Sequence, residues 1–244
     1  MGWYVNGTAA DCVNKYMYAI IEDESIKKLF EDAINIFANQ KKQIVKLLES
    51  EGSLVPKGFS DADINLKAVR LFTDIFCMEY LHIMTLHGMH GHLTSLCISV
   101  REDIRQMYDP FDNDGKSIFH RTTQLLLEKG KFQRDPYIYP QSNIEFVSTN
   151  EYKEGLFKTK RPLAATEIIS ISLNIKKNIM AKSLSIAFSQ VIQSEESRKF
   201  LLKSQETADE HIQDLAKIMH ADNLPVPTSW ESEITPLTGG AFSR

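Results

Sequence analysis

The chain has little cysteine, no long apolar run and no excess of positive charge, and each shortage narrows what it can be. Its three cysteines, Cys12, Cys77 and Cys97, are odd in number and far apart, and none forms a Cys-x-x-Cys pair. A disulfide framework and a structural zinc site are therefore not expected, and a reducing compartment is the natural setting. No apolar stretch approaches the ~18 residues that span a bilayer, so no membrane segment is expected. A net charge of -4 argues against nucleic acid as a partner, because its binders carry a basic stripe. The N-terminus, MGWYVNGTAADC, lacks a basic region followed by an apolar one and does not read as a signal peptide. Asn6 stands where a myristoylation signal wants Ser or Thr. The chain reads as cytoplasmic. No Gly-rich phosphate loop, nucleophile elbow or Ser-His-Asp set stands out, so neither a reaction nor a cofactor is expected.

What the chain does have is helical periodicity, and part of it occurs twice. A shift of about 171 lays residues 20–60 onto 191–231: Leu29 meets Phe200, Ile44 meets Leu215, Leu48 meets Met219, Val55-Pro56 meets Val226-Pro227, and Phe59 meets Trp230. A repeated apolar pattern implies a repeated supersecondary unit. Helical spacing predicts helices over 8–21, from about Ser25 to Ser50, 68–100 and 102–129, and then over 165–192 and 195–220. Gly52 suits a helix stop. The fourth helix contains Asp109-Pro110-Phe111-Asp112-Asn113-Asp114-Gly115, and an interior proline costs about 3 kcal/mol, so a kink or break is expected there. The expected domains are a four-helix bundle over 1–130, a linker strap over 131–162, and a partial second bundle of two helices plus a C-terminal loop over 163–244.

Several separated motifs carry a family resemblance. They are Cys12-Val13 with Lys15-Tyr16, the VPKGF segment at 55–59, Arg70-Leu71-Phe72, Arg101 with Asp103-Ile104-Arg105, and Leu125-Leu126-Leu127 with Lys129-Gly130. Pro136-Tyr137-Ile138, Lys160-Arg161-Pro162-Leu163, Phe188-Ser189-Gln190-Val191, His211 and Pro227 with Ser229-Trp230 complete them. In their order and spacing the chain resembles the domain of unknown function 3231 family of spore-forming Firmicutes. The resemblance implies an all-α chain of tandem ferritin-like four-helix bundles, some members of which carry a spore-coat label. It implies no established activity. This sequence stops where a second bundle would enter its third helix, so it is expected to be a shortened member.

Candidate site residues are few. A carboxylate-bridged metal pair needs Glu-x-x-His on two helices and a lone Glu on each of two others. Glu79-Tyr80-Leu81-His82 is the one such tetrad; Glu79 and His82 share a helix face and are the weak metal candidates, read mainly as a satisfied polar pair. His87, His90 and His92 resemble a metal tract, but the favoured reading places them at a rim where Gly88 and Gly91 let helices approach. Asp112-Asn113-Asp114-Gly115 lacks the flanking acids of a calcium loop. Gln40 and His211 occupy equivalent places in the repeat, each on an apolar stripe. They are the candidates for a polar layer inside a bundle, either fixing register or touching a ligand.

Two helices alone cannot cover both of their apolar stripes, so self-association through the second hairpin is expected. The leading functional expectation is a non-enzymatic structural or interaction protein, tied to sporulation or the spore coat, with other coat proteins as further partners. The alternative is a ferritin-like bundle that binds a metal or a small ligand; an oxidoreductase remnant of the same fold ranks last.

Overall fold

The structure, a computed structural model, describes residues 2–138 and 162–237. Those residues are all-helical apart from one isolated antiparallel bridge: α1 Gly2–Ile20, α2 Glu24–Ser50, α3 Asp74–Ile98, α4 Glu102–Glu128, α5 Ala165–Ser189 and α6 Glu195–Ala221. None of these helices is long and apolar enough to cross a membrane. The chain divides into two compact units. One holds α1–α4 together with residues 232–237; the other runs from Gln133 to Glu231 and holds α5 and α6. Most of the expected strap, 139–161, lies outside the described residues.

The repeat is visible helix end by helix end. α2 and α6 are both 27 residues long. Asp23 caps the first and Ser194 the second, each side chain accepting backbone N–H groups that the first turn leaves free. At the other end Gly52 (φ 64°) and Asn223 (φ 55°) turn left-handed. There the Ser53 N–H donates to the Leu48 carbonyl at 2.9 Å and the Leu224 N–H to that of Met219 at 3.0 Å. Glycine and asparagine are the residues that reach this conformation most readily, which is why the two copies end alike despite different side chains.

In the four-helix unit α1 pairs with α2 and α3 with α4 through short loops, and residues 51–73 join the two hairpins. Lys129, just past α4, pairs with Asp23 at the start of α2 (2.6 Å). Arg101, just before α4, pairs with Glu51 at the end of α2 (2.8 Å). Asp74, opening α3, accepts from the N–H of Asp23 (2.8 Å). α2 and α3 therefore run in the same direction, and 51–73 travels the length of the bundle as its single long crossover. The crossover is laced to one side of α1. The Phe59 N–H donates to Thr8 Oγ1 (3.1 Å), the Cys12 thiol donates to the Ser60 carbonyl (3.4 Å), and Lys15 pairs with Asp61 (2.5 Å). Tyr16 OH donates to the Val69 carbonyl (2.7 Å) and accepts the Leu71 N–H (3.0 Å). Gly58 is needed for this approach: a Cβ there would stand 2.5 Å from Thr8 Oγ1 and 2.9 Å from the Tyr4 ring. The core at this end is aromatic, with Phe72 and Phe76 stacked at 4.5 Å between centroids.

Three expectations change. α1 starts at Gly2, six residues earlier than its periodicity predicts, because Trp3 docks on Phe37 (5.4 Å) and Phe111 (6.0 Å) and so supplies the packing that weak helix formers lack. α3 starts at Asp74 and not at 68, because residues 71–73 are drawn into an extended bridge. The Thr73 N–H donates to the Glu233 carbonyl and the Thr235 N–H to that of Leu71, pairing Phe72 with Ile234. The expected break at 109–115 does not occur: α4 runs through Pro110 as one helix. Proline there frees the carbonyl of Gln106, which is solvent-exposed and can be hydrated. Buried Phe111 and Ile118 hold the helix to the bundle.

The two-helix unit is simpler. Asp135 accepts from Ser172 Oγ (2.6 Å) and pairs with Lys176 (2.8 Å), tying the segment before 139 to α5. Lys182 of α5 pairs with Asp209 of α6 (2.5 Å) and with Glu231 (2.8 Å).

Candidate functional site

The four-helix unit contains a cavity of about 780 Å³ to which all four helices contribute. That volume lies within the range of small-molecule sites. It exists because small residues stand where large ones would fill the bundle: Ala9 and Ala10 on α1, Ala33 on α2, and Gly88 and Gly91 on α3. At both glycines an added Cβ would meet nothing within 4 Å. The expectation that they let helices approach is therefore corrected: they leave space. Close approach occurs elsewhere, at Gly7 against Phe37 and at Gly115 against Met89. Because glycine in a helix interior is about 1 kcal/mol worse than alanine, Gly88→Ala and Gly91→Ala are each expected to stabilise the protein by about 0.5–1 kcal/mol, read as a higher urea midpoint. A lower midpoint would mean that these positions are packed.

The polar groups in the wall are unevenly satisfied. Gln40 is buried and its Nε2 donates to Asp114 Oδ2 at 3.2 Å, linking α2 to α4. No Lys or Arg reaches Asp114 among the described residues, and Lys116 nearby pairs with Asp112 instead. His92 is buried, and its Nε2 accepts from Trp3 Nε1 at 3.0 Å. That bond places the proton of the neutral ring on Nδ1, which has no hydrogen-bond partner. Burial lowers the His92 pKa against the opposing charges of Asp112 and Asp114, which favours the neutral ring. Asn14 Oδ1 is likewise buried and unpaired. Tyr80 is buried in the wall, and burial raises its phenol pKa, so it remains a neutral donor and acceptor.

The chain matches the family described as "Protein of unknown function (DUF3231)" over residues 2–144 and 152–243. The chain belongs to this family. No curated protein matches it. Among solved structures it is similar to one from Bacillus halodurans C-125 described as a "putative spore coat protein". That likeness has 20% identity and a TM-score of 0.51, and covers 57% of this chain and 90% of that one; at such identity it concerns the fold. In this DUF3231 protein, the motif residues of the first unit turn out to be joints. Cys12, Lys15 and Tyr16 hold the crossover, and Arg70 reaches Glu22 (2.6 Å), Asp74 (2.9 Å) and the Phe72 carbonyl (3.0 Å). Arg101 pairs with Glu51 and Asp103, and Gly130 (φ 66°) ends α4.

The residues singled out from sequence are scattered. Gln40 lies in the cavity wall. His211 is exposed, its Nδ1 3.2 Å from Asn178 Oδ1, on a shallow groove of about 350 Å³ shared by α5 and α6. It does not lie in a bundle interior, because among the described residues that unit holds two helices. His82 stacks on Phe119 (4.3 Å) and its Nε2 lies 3.0 Å from Thr123 Oγ1; Glu79, one turn before it, is buried. Among the described residues no group of three or more His, Cys, Asp or Glu could hold a metal ion. Within the histidine tract, His87 and His90 are exposed while His92 is buried, so the rim reading fails for His92. Sequence reasoning missed Trp3, Asn14 and Tyr80. The signal that could have found them is the coincidence of small residues on facing helices.

Proposed function

We propose that this DUF3231 protein is a non-enzymatic structural and interaction protein that serves in sporulation or the spore coat and self-associates through its α5–α6 hairpin. The observation that carries this reading is the apolar exposure of α6. Phe200 is 73% exposed and Ile218 43%, and five helical turns separate them, so they share one face. Ile169 on α5 is also half exposed. Large exposed apolar groups favour burial against a partner, and a second copy supplies a complementary surface at no cost in sequence. The spore-coat description of the Bacillus halodurans protein supports the setting. The expected result in sedimentation velocity is a concentration-dependent dimer, which the double variant F200D/I218D converts to monomer. A wild-type monomer at every concentration would defeat the reading.

A second reading has its own support. The single long crossover is the arrangement of ferritin-like bundles, and the cavity fits a bundle that binds a small organic ligand better than one that binds a metal.

A further inference from the structure

Within that second reading, on which this inference rests, we infer that the α1–α4 cavity is a binding site for a small organic cation, an ammonium head on an apolar body. Among the described residues Asp114 is the one Asp, Glu, Lys or Arg in the cavity wall. Its carboxylate receives a hydrogen bond from Gln40 but no ion pair among the described residues, although the neighbouring Asp112 has one. A carboxylate set in a largely apolar wall attracts a cation more strongly than it would in water, and repels an anionic ligand to the same degree. The histidine buried in the same wall, His92, is held neutral and adds no competing charge.

The rest of the wall suits the apolar body. Trp3, Phe37, Phe111 and Tyr80 supply aromatic surface, and Met84 and Met89 supply adaptable surface. The free polar atoms do not point to an anion either. Against the donor at His92 Nδ1 stands an acceptor at Asn14 Oδ1, and an ammonium needs acceptors. Among the described residues no Lys or Arg lines the cavity to hold a carboxylate or a phosphate; its two histidines are His92, buried in the wall, and His87, at the exposed rim. The cavity volume of about 780 Å³ leaves room for a phenylalkyl body and rules out nothing smaller.

The test is calorimetric titration of the full chain with three probes that share a body and differ in their heads: 4-phenylbutylammonium, 4-phenylbutanol and 5-phenylpentanoate. The ammonium is expected to bind about tenfold or more tightly than the alcohol, and the carboxylate most weakly. In D114N, which keeps an acceptor for Gln40, the ammonium is expected to fall to the affinity of the alcohol. Gly88→Leu, which fills the cavity from a position with open space, is expected to abolish binding of all three. Equal affinity for ammonium and alcohol in the wild type would overturn the cation assignment while leaving a ligand-binding cavity. No binding of any probe would overturn both readings. Binding that survives Gly88→Leu would place the site elsewhere and overturn the assignment. The wild-type comparison decides the question even if D114N fails to fold.

Discussion

Phe72→Ala is expected to lower the unfolding free energy by about 3–5 kcal/mol. Phe72 is fully buried, lies nearly parallel to Phe76 (9°) at 4.5 Å, and meets the edge of Tyr16 at 6.3 Å. Its backbone pairs with Ile234. It therefore anchors three things at once: the end of the crossover, the start of α3 and residues 233–235. The neighbours cannot collapse into the space left by alanine, because Phe76, Tyr16 and Leu71 are themselves buried and committed. Phe72→Leu keeps most of the volume and should cost less than half as much. Urea unfolding followed by circular dichroism checks both. A loss below about 1 kcal/mol for alanine would mean that the aromatic core is not packed as described.

The second large effect is expected at Asp74. Its carboxylate accepts the N–H of Glu22 (3.2 Å) and of Asp23 (2.8 Å) and is held by Arg70. Hydrogen bonds to a charged group are worth about 1.5–3 kcal/mol each. Asp74→Ala strips the α1–α2 turn of its acceptors and leaves Arg70 with Glu22 and the Phe72 carbonyl, so a loss of about 2–3 kcal/mol is expected. Asp23→Ala, which removes the α2 cap, is expected to cost about 1 kcal/mol, and that cost depends on pH. Lys129, then Ser25, hold the Asp23 carboxyl well below its ordinary value of 3.8. A carboxylate whose pKa is depressed by folding contributes stability in full above its unfolded value and loses it as pH falls toward the folded one. The difference between wild type and Asp23→Ala should accordingly be constant from pH 7 to about 5 and shrink below about 4. A difference that stays constant down to pH 2.5 would show that Lys129 and the cap do not act through the ionised form.

The helices of this protein are legible because their apolar residues keep a helical period, and the repeat sharpens the reading. Asp23 and Ser194 mark the start, and Gly52 and Asn223 the stop, of the corresponding helix in the two copies. Helix starts are less legible where tertiary contacts set them. Trp3 lengthens α1 by reaching α2 and α4, and residues 71–73 leave α3 to pair with residues more than a hundred and fifty positions away. Pro110 misleads because local cost says nothing of the packing of Phe111 and Ile118, which outweighs it. At the site, Gln40 is legible because a polar residue on an apolar stripe asks for a partner. The same logic applied to His211 fails, since its face belongs to a two-helix unit and is exposed. The cavity itself leaves almost no mark on the sequence. It is made by what Ala9, Ala33, Gly88 and Gly91 do not fill, and by four helices whose register no local pattern specifies.

The cation site inferred for the first bundle sits inside the frame that the family's motif residues build. A crystal structure of the full chain grown with 4-phenylbutylammonium tests this most directly. The account predicts density for the phenyl body among Trp3, Phe37 and Phe111, with the ammonium nitrogen within about 3.2 Å of an Asp114 carboxylate oxygen. A bundle whose interior is filled by its own side chains, or a probe seated away from Asp114, would contradict it.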